Sequence, residues 1–189
     1  MGTSAKLPRL LFLTDPRRTP RPELIAERLP RGAGVLFRAF DTADAVAVGR
    51  RLKAVARRRG LVLLAGADPA LAWAIGADGV HLPERLAHRA GALRRARPGW
   101  LVTAAAHSRP AMLRAARAGA DAVLVSPVFE SVSLSAGRPL TVLRFAALVR
   151  GARIPVYALG GIDGRTARRL VASGAIGIAA VGALARTWD

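Results

Sequence analysis

The chain has 189 residues, of which 52% are hydrophobic and 22% are charged. This length fits one domain, and the composition excludes a disordered chain. No uncharged apolar run approaches the roughly 18 residues of a membrane-spanning helix, and the lack of cysteine excludes disulfides and zinc–thiolate sites. Because the first residues lack a basic region followed by an apolar stretch, they do not resemble a secretory signal. We therefore expect a cytoplasmic protein with no membrane partner.

The net charge of +18 raises the question of nucleic-acid binding. Cations that bind phosphate backbones are usually clustered on one face, whereas the arginines here are spread over several predicted helices. Aromatic residues, on which bases could stack, make up only 5% of the chain. The pattern favours solvated, arginine-rich helix faces over a nucleic-acid partner.

Short apolar runs alternate along the chain with amphipathic stretches rich in Ala, Arg and Leu, which is typical of βα units. Eight runs are predicted as strands: Leu10–Leu13, Gly34–Phe37, Leu61–Ala65, Gly79–Leu82, Leu101–Ala105, Ala122–Ser126, Pro155–Leu159 and Gly177–Ala180. Helices are expected between them, for example over residues 43–59, 87–96, 110–118 and 164–173.

A small-residue motif that begins with Gly-Ala recurs just before or at the start of alternate predicted strands, at residues 32–35, 76–80, 119–123 and 174–178. Four such two-unit repeats predict a single (β/α)8 TIM barrel with short loops and a truncated last helix. The barrel domain is expected over residues 8–189, after a flexible N-terminus at residues 1–7. The alternative is a doubly wound open sheet, but its usual glycine-rich turn is absent after the first strand, over residues 13–16.

Two glycine-containing loops follow the seventh and eighth predicted strands, at Gly160 and Gly161 and at Val181 and Gly182. In (β/α)8 barrels a phosphate group commonly lies between these two loops. Glycine lets the backbone approach the phosphate closely, so that N–H groups can donate to its oxygens. We therefore predict a phosphorylated small-molecule ligand here, although both loops could also be tight turns without a ligand.

Other candidate site residues lie at the same end of the predicted barrel. His81 and His107 could act as acid or base near neutral pH, or could have only structural hydrogen bonds, whereas His88 is expected to be solvated. Arg38, at the end of the second strand, is well placed to bind an anion. The long loop over residues 127–141 contributes hydroxyl groups, among them Ser131 and Ser133.

No pair of carboxylates near this end has a recognisable metal-ligand spacing, so we predict no metal site from the residues alone. The sequence leaves a homodimer open.

The segments over residues 11–15, 76–82, 106–108, 119–123, 127–131 and 154–162 resemble, in this order and spacing, the thiamine phosphate synthase family and the related thiazole tautomerases. The resemblance runs from about Leu10 to Leu184. It implies that a thiazole phosphate is joined to a pyrimidine diphosphate with Mg²⁺, and that pyrophosphate leaves. It also implies that the thiazole phosphate is bound by Gly160, Gly161, Val181 and Gly182. Arg38 matches the arginine of the family's second-strand motif, and Ser133 matches a hydroxyl position in the loop that closes over pyrophosphate.

The chain departs from the family pattern on the metal and diphosphate side. Gly66 and Ala67 stand where an Asn-Asp pair is expected, with Asp68 one place late, and Leu86 stands at a second metal aspartate. Leu134 stands where the resemblance implies a lysine, in the long loop after the sixth strand. We therefore expect Mg²⁺ as a cofactor only if synthase activity is retained, and the departures argue against that activity.

Three functions follow as hypotheses. The first is a synthase-like protein of thiamine biosynthesis or salvage that binds a thiazole phosphate or thiamine phosphate. The second is a tautomerase-like isomerase with His107 or His81 as proton shuttle. The third is a binding protein that keeps the phosphate pocket but has no catalytic activity.

Overall fold

The computed structural model describes residues 7–40, 44–131 and 137–186. Within them, eight parallel strands form a closed barrel in sequence order, and β1 pairs with β8 to complete it. This confirms the predicted (β/α)8 fold. The strands are β1 (Leu10–Leu13), β2 (Gly34–Phe37), β3 (Val62–Gly66), β4 (Gly79–Leu82), β5 (Leu101–Ala106), β6 (Ala122–Val125), β7 (Val156–Leu159) and β8 (Gly177–Ala180).

Helices connect successive strands on the outside of the barrel. They are α1 (Pro22–Arg28), α2 (Ala45–Arg59), α3 (Pro69–Ala74), α4 (Ala90–Ala96), α5 (Arg109–Arg117), α6 (Thr141–Arg150), α7 (Gly164–Arg168) and α8 (Gly182–Arg186). Short 3-10 helices cover Glu84–Arg89 and Val171–Ser173. In the described ranges, no helix has both the length and the apolar character needed to cross a membrane.

Two predicted helices are each divided in the structure. The segment predicted over 87–96 starts earlier, as a 3-10 helix directly after the extended residue Pro83, and becomes α-helical only at Ala90. The segment predicted over 164–173 leaves α-helical geometry near Leu170, whose backbone has φ −98° and ψ −5° and whose side chain is buried. Side chains of both segments pack against the barrel, and this packing decides where each α-helix begins or ends, rather than the helical periodicity of the sequence.

Two of the four copies of the Gly-Ala motif, at residues 76–80 and 119–123, contain an aspartate with a structural role. The Asp78 N–H donates to the Leu63 carbonyl at 2.8 Å, and its Oδ2 accepts the Leu63 N–H at 2.9 Å. Asp121 makes the same pair of bonds with Val102, at 2.7 and 2.8 Å. Each aspartate thus binds the start of the preceding strand and sets the register in which the next strand is added.

The barrel interior is filled with side chains rather than open. Buried residues that point inward include Leu11, Leu36, Leu64 and Leu124. Tyr157 is fully buried, its hydroxyl donates to the Pro8 carbonyl at 2.6 Å, and burial raises the pKa of this phenol. Since this packing leaves no through-channel, a ligand has to bind at the loops beyond the carboxyl ends of the strands.

Candidate functional site

A cavity of about 390 Å³ lies at the carboxyl ends of the strands. Seven residues predicted from the sequence line it: Arg38, His107, Ser131, Gly160, Gly161, Val181 and Gly182. The two glycine loops meet because β7 and β8 are neighbours, with Leu159 paired to Ala179. Ser133 lies outside the described residues, as does Leu134.

Gly160 and Gly161 both have left-handed backbone conformations, with φ of +94° and +65°. A Cβ on Gly160 would lie 2.7 Å from the Pro127 Cα, and one on Gly161 would overlap the Glu130 carbonyl. The loop after β6 is hydrogen-bonded here, since the Phe129 N–H donates to the Gly160 carbonyl at 3.1 Å. Two physical needs therefore require glycine: the positive φ and the close approach of the neighbouring loop.

Arg38 is held at the cavity wall by the end of β1. Its Nε donates to the Thr14 carbonyl at 2.7 Å, and its backbone N–H donates to the Thr14 hydroxyl at 2.9 Å. Its Nη2 lies 3.4 Å from Asp15 Oδ2. Burial lowers the pKa of Arg38, the charge of Asp15 opposes this, and the charge of Arg18 adds to it. A guanidinium still keeps its proton in the physiological range, so Arg38 offers a fixed positive charge.

Arg18 lines the same cavity and was not predicted from the sequence. Its Nη2 donates to Asp15 Oδ2 at 2.8 Å, and its Nε donates to the same oxygen at 3.2 Å. Burial raises the pKa of Asp15, but the hydrogen bonds and charge of Arg18 outweigh it and bring that pKa below its ordinary value. The only sequence signal for Arg18 is that Asp15 precedes it by three residues. In a chain with 30 lysine and arginine residues this spacing does not single out Arg18.

The two candidate catalytic histidines have different surroundings. His81 Nδ1 lies 2.9 Å from the Thr103 hydroxyl, and His81 is not among the residues that line the cavity. Burial, and to a smaller extent the charge of Arg38, lower the pKa of His81 to about 4. His81 is therefore neutral at pH 7, and its hydrogen bond joins β4 to Thr103 of β5.

His107 does line the cavity. Its Nδ1 lies 2.9 Å from the Ser126 carbonyl, and because a carbonyl only accepts, Nδ1 carries the proton. Its backbone N–H donates to Glu84 Oε2 at 2.9 Å. In the neutral ring this tautomer leaves Nε2 with a lone pair that can accept a proton from a ligand.

The positions at which the family resemblance implies Mg²⁺ ligands do not fit a metal ion. Gly66 and Ala67 carry no side-chain oxygen, and Leu86 packs against the core between strands and helices. Asp68 Oδ1 accepts the N–H groups of Ala70 and Leu71 at 2.8 and 3.0 Å, so this carboxylate caps α3. Throughout the described part of the chain, no group of three His, Asp or Glu side chains could hold a metal ion.

The chain is similar to known proteins along nearly its whole length. The thiamine monophosphate synthase family model matches residues 10–184. A thiamine-phosphate synthase of Thermus thermophilus is 37% identical over 180 residues, which are 88% of this chain and 85% of that protein. One from Pyrococcus furiosus is 27% identical over 185 residues, 96% of this chain and 88% of that protein.

The fold agrees as well. The solved structure of thiamine phosphate pyrophosphorylase from Pyrococcus furiosus superposes with a TM-score of 0.78 at 24% identity, covering 92% of this chain and 85% of that one. At this level of identity the superposition shows a shared fold. The family model matches nearly the whole barrel, and this chain therefore belongs to the thiamine monophosphate synthase family.

Proposed function

We propose that the cavity binds a thiazole phosphate or thiamine phosphate, with the phosphate group on the loops after β7 and β8. One observation carries the proposal: Gly160, Gly161, Val181 and Gly182 line a single cavity of about 390 Å³. Backbone N–H groups at such loops suit a phosphate, and Arg38 adds a fixed positive charge to the same cavity. Membership of the family supports the thiazole as the group attached to that phosphate.

We further propose that the chain does not catalyse the Mg²⁺-dependent coupling of thiazole phosphate to a pyrimidine diphosphate. A magnesium ion bound beside a diphosphate needs protein oxygen ligands, typically one or two carboxylates. The corresponding positions are Gly66, Ala67 and Leu86, and the carboxylate of Asp68 is used to cap α3. The described residues can bind and orient the phosphorylated ligand, but these positions supply no carboxylate for a magnesium ion that would neutralise a leaving pyrophosphate.

A second candidate function is isomerisation of the bound thiazole by proton transfer. The geometry of His107 favours it, because Nδ1–H is fixed by the Ser126 carbonyl 2.9 Å away and Nε2 is the nitrogen left to take a proton. In such a reaction Nε2 would remove a proton from one carbon of the ring and return it to another position. His107→Gln would then lose the activity while ligand affinity changes little.

The coupling assay tests the proposal directly. The purified protein is incubated with thiazole phosphate, pyrimidine diphosphate and Mg²⁺, and thiamine phosphate is measured. We expect none above the buffer control. Turnover that survives extensive purification and scales with protein concentration would contradict the proposal that the metal side of the site is lost.

Calorimetry tests the binding part of the proposal. Thiazole phosphate and thiamine phosphate are titrated into the protein, and the thiazole alcohol, which lacks the phosphate, is the matched control ligand. We expect the phosphorylated compounds to bind at least tenfold more tightly than the alcohol, since charge-assisted hydrogen bonds contribute about 1.5–3 kcal/mol. Equal affinity for thiazole phosphate and its alcohol would rule out a phosphate site in this cavity.

A further inference from the structure

We propose that Arg18, in the loop between β1 and α1, is a phosphate-binding residue of the cavity, whose guanidinium contacts the ligand phosphate beside the glycine loops. The inference rests on the proposed function and deepens it. It adds a second side-chain cation, besides Arg38, to a phosphate site that includes the backbone N–H groups of the glycine loops.

The topology brings the loop of Arg18 next to the phosphate loop. β1 and β8 are neighbours, with Phe12 paired to Ala180. The chain therefore leaves the barrel after Leu13 and after Ala180 at adjacent places on the same rim. Accordingly, Arg18 lines the cavity together with Val181 and Gly182.

Asp15 fixes the direction in which the Arg18 guanidinium is presented. Asp15 Oδ2 accepts from Nε and Nη2 of Arg18, at 3.2 and 2.8 Å. Asp15 Oδ1 accepts the backbone N–H groups of Arg17 and Arg18 at 3.1 and 3.2 Å, which holds the carboxylate itself in place. No described residue accepts a hydrogen bond from Nη1 of Arg18. One edge of the guanidinium is thus anchored, and the other can donate to a ligand with little further loss of side-chain freedom.

The charges around Asp15 also favour an anion. Asp15 Oδ2 is shared between Arg18 and Arg38, whose Nη2 atoms lie 2.8 and 3.4 Å away. One carboxylate between two guanidiniums leaves one positive charge in excess. Two further carboxylates line the cavity and keep their negative charge: Asp163, which accepts the N–H groups of Arg165 and Thr166 at the start of α7, and Glu130, which is exposed to solvent. The one excess positive charge of Asp15, Arg18 and Arg38 attracts a phosphate, and the backbone N–H groups of the glycine loops can donate to its remaining oxygens.

The competing explanation is that the Asp15–Arg18 pair only stabilises the turn after β1. Its side chains are 33% exposed for Arg18 and 18% exposed for Asp15, so the ion pair alone contributes little to stability. The two explanations differ in what happens to ligand affinity when Arg18 is replaced and the turn is kept.

The test compares Arg18→Gln with Arg17→Gln, which makes the same charge change at the adjacent, exposed residue that does not line the cavity. Thiazole phosphate, the thiazole alcohol and inorganic phosphate are titrated into each protein by calorimetry. For Arg18→Gln we expect the Kd of thiazole phosphate to rise about 10- to 100-fold, the Kd of inorganic phosphate to rise in the same direction, and the affinity for the alcohol to stay within twofold. For Arg17→Gln we expect every change to stay within about twofold.

Equal effects of the two substitutions on thiazole phosphate would overturn the role of Arg18. If the wild-type protein itself did not distinguish thiazole phosphate from the alcohol, the proposed function would fail instead, so the two failures can be told apart. Should Arg18→Gln not fold, Arg18→Lys takes its place. Lysine keeps the charge, but its single ammonium group cannot both donate to Asp15 as Nε and Nη2 of arginine do and reach the ligand. We therefore expect Arg18→Lys to bind thiazole phosphate about three- to tenfold more weakly. Wild-type affinity in folded Arg18→Lys would overturn the inference.

Discussion

The hydroxyl of Thr14 accepts the backbone N–H of Arg38 at 2.9 Å, and the Thr14 carbonyl accepts Nε of the same arginine at 2.7 Å. Thr14 is only 2% exposed. One buried threonine at the end of β1 therefore holds both the main chain and the side chain of the cavity arginine that ends β2. This contact links the register of two neighbouring strands to the position of a charge in the cavity.

Replacing Thr14 with valine removes the hydroxyl but keeps the shape of the side chain. Because the Arg38 N–H is then left without its acceptor in a buried position, we expect the free energy of unfolding to fall by about 1–3 kcal/mol, with weaker thiazole phosphate binding. Urea denaturation and calorimetry measure the two effects. Thr14→Ser, which keeps the hydroxyl, is the control and should retain most of the ligand affinity. Equal ligand affinity in the valine and serine variants would contradict this role of the hydroxyl.

His81 predicts a specific dependence of stability on pH. Burial lowers the pKa of His81 in the folded protein to about 4, from an ordinary value of 6.5, so between these pH values the unfolded chain binds a proton that the folded protein does not. Stability contributed by neutral His81 is thus present above pH 6.5 and is lost as the pH falls towards 4, by about 3 kcal/mol at most.

Thermal denaturation between pH 7 and about 4.5, above the range in which most carboxylates titrate, measures this loss. His81→Gln should flatten the profile relative to the wild type. His88→Gln, at an exposed histidine, is the matched control and should leave the slope unchanged. Identical profiles for the two variants would show that His81 is not the group responsible.

Alanine substitutions at Gly161 and Gly32 distinguish the cost of backbone strain from the cost of close packing. Both have positive φ, +65° and +78°, but a Cβ on Gly32 would meet nothing within 4 Å, whereas one on Gly161 would overlap the Glu130 carbonyl. Gly32→Ala should therefore cost only the left-handed strain, about 1–2 kcal/mol. Gly161→Ala should cost more and also weaken thiazole phosphate binding, because the loop after β6 has to move. Equal losses of stability in the two variants, measured by urea denaturation, would contradict the packing argument.

Ala67 adopts φ +62° at the end of β3, a conformation that non-glycine residues rarely take. Asparagine tolerates this region better than alanine, and residue 67 is exposed, so the larger side chain has room. We expect Ala67→Asn to raise the free energy of unfolding by about 0.5–1 kcal/mol. Ala70→Asn, at an exposed position in α3, is the control and should destabilise by a few tenths of a kcal/mol through helix propensity. A lower melting temperature for Ala67→Asn would refute the interpretation.

The family resemblance implies an Asn-Asp pair at residues 66 and 67, and the left-handed backbone at Ala67 suits such polar residues better than alanine. Residue 67 thus has a backbone conformation that suits a polar residue, but alanine supplies no side-chain oxygen there.

Much of the fold, and several of the residues that line the cavity, could be predicted from local sequence. Alternating apolar runs and the repeated Gly-Ala motif predicted eight strands, because each βα unit has to bury its strand on both faces. The glycines after the seventh and eighth strands predicted the phosphate loops, because neighbouring parallel strands end on the same rim. Leu170 shows the limit of this reasoning, since its side chain packs in the buried core where the helical geometry ends.

The tertiary structure decided what depends on residues distant in the chain. It brought Arg18 into the cavity because β1 closes the barrel against β8, and it left His81 outside the set of residues that line the cavity. It also showed that the loop after β6 approaches Gly160 and Gly161 so closely that a Cβ there would overlap it. Sequence periodicity determines which residues face the core and where strands end, whereas the closure of the barrel decides which strand ends meet, and hence which side chains share one cavity.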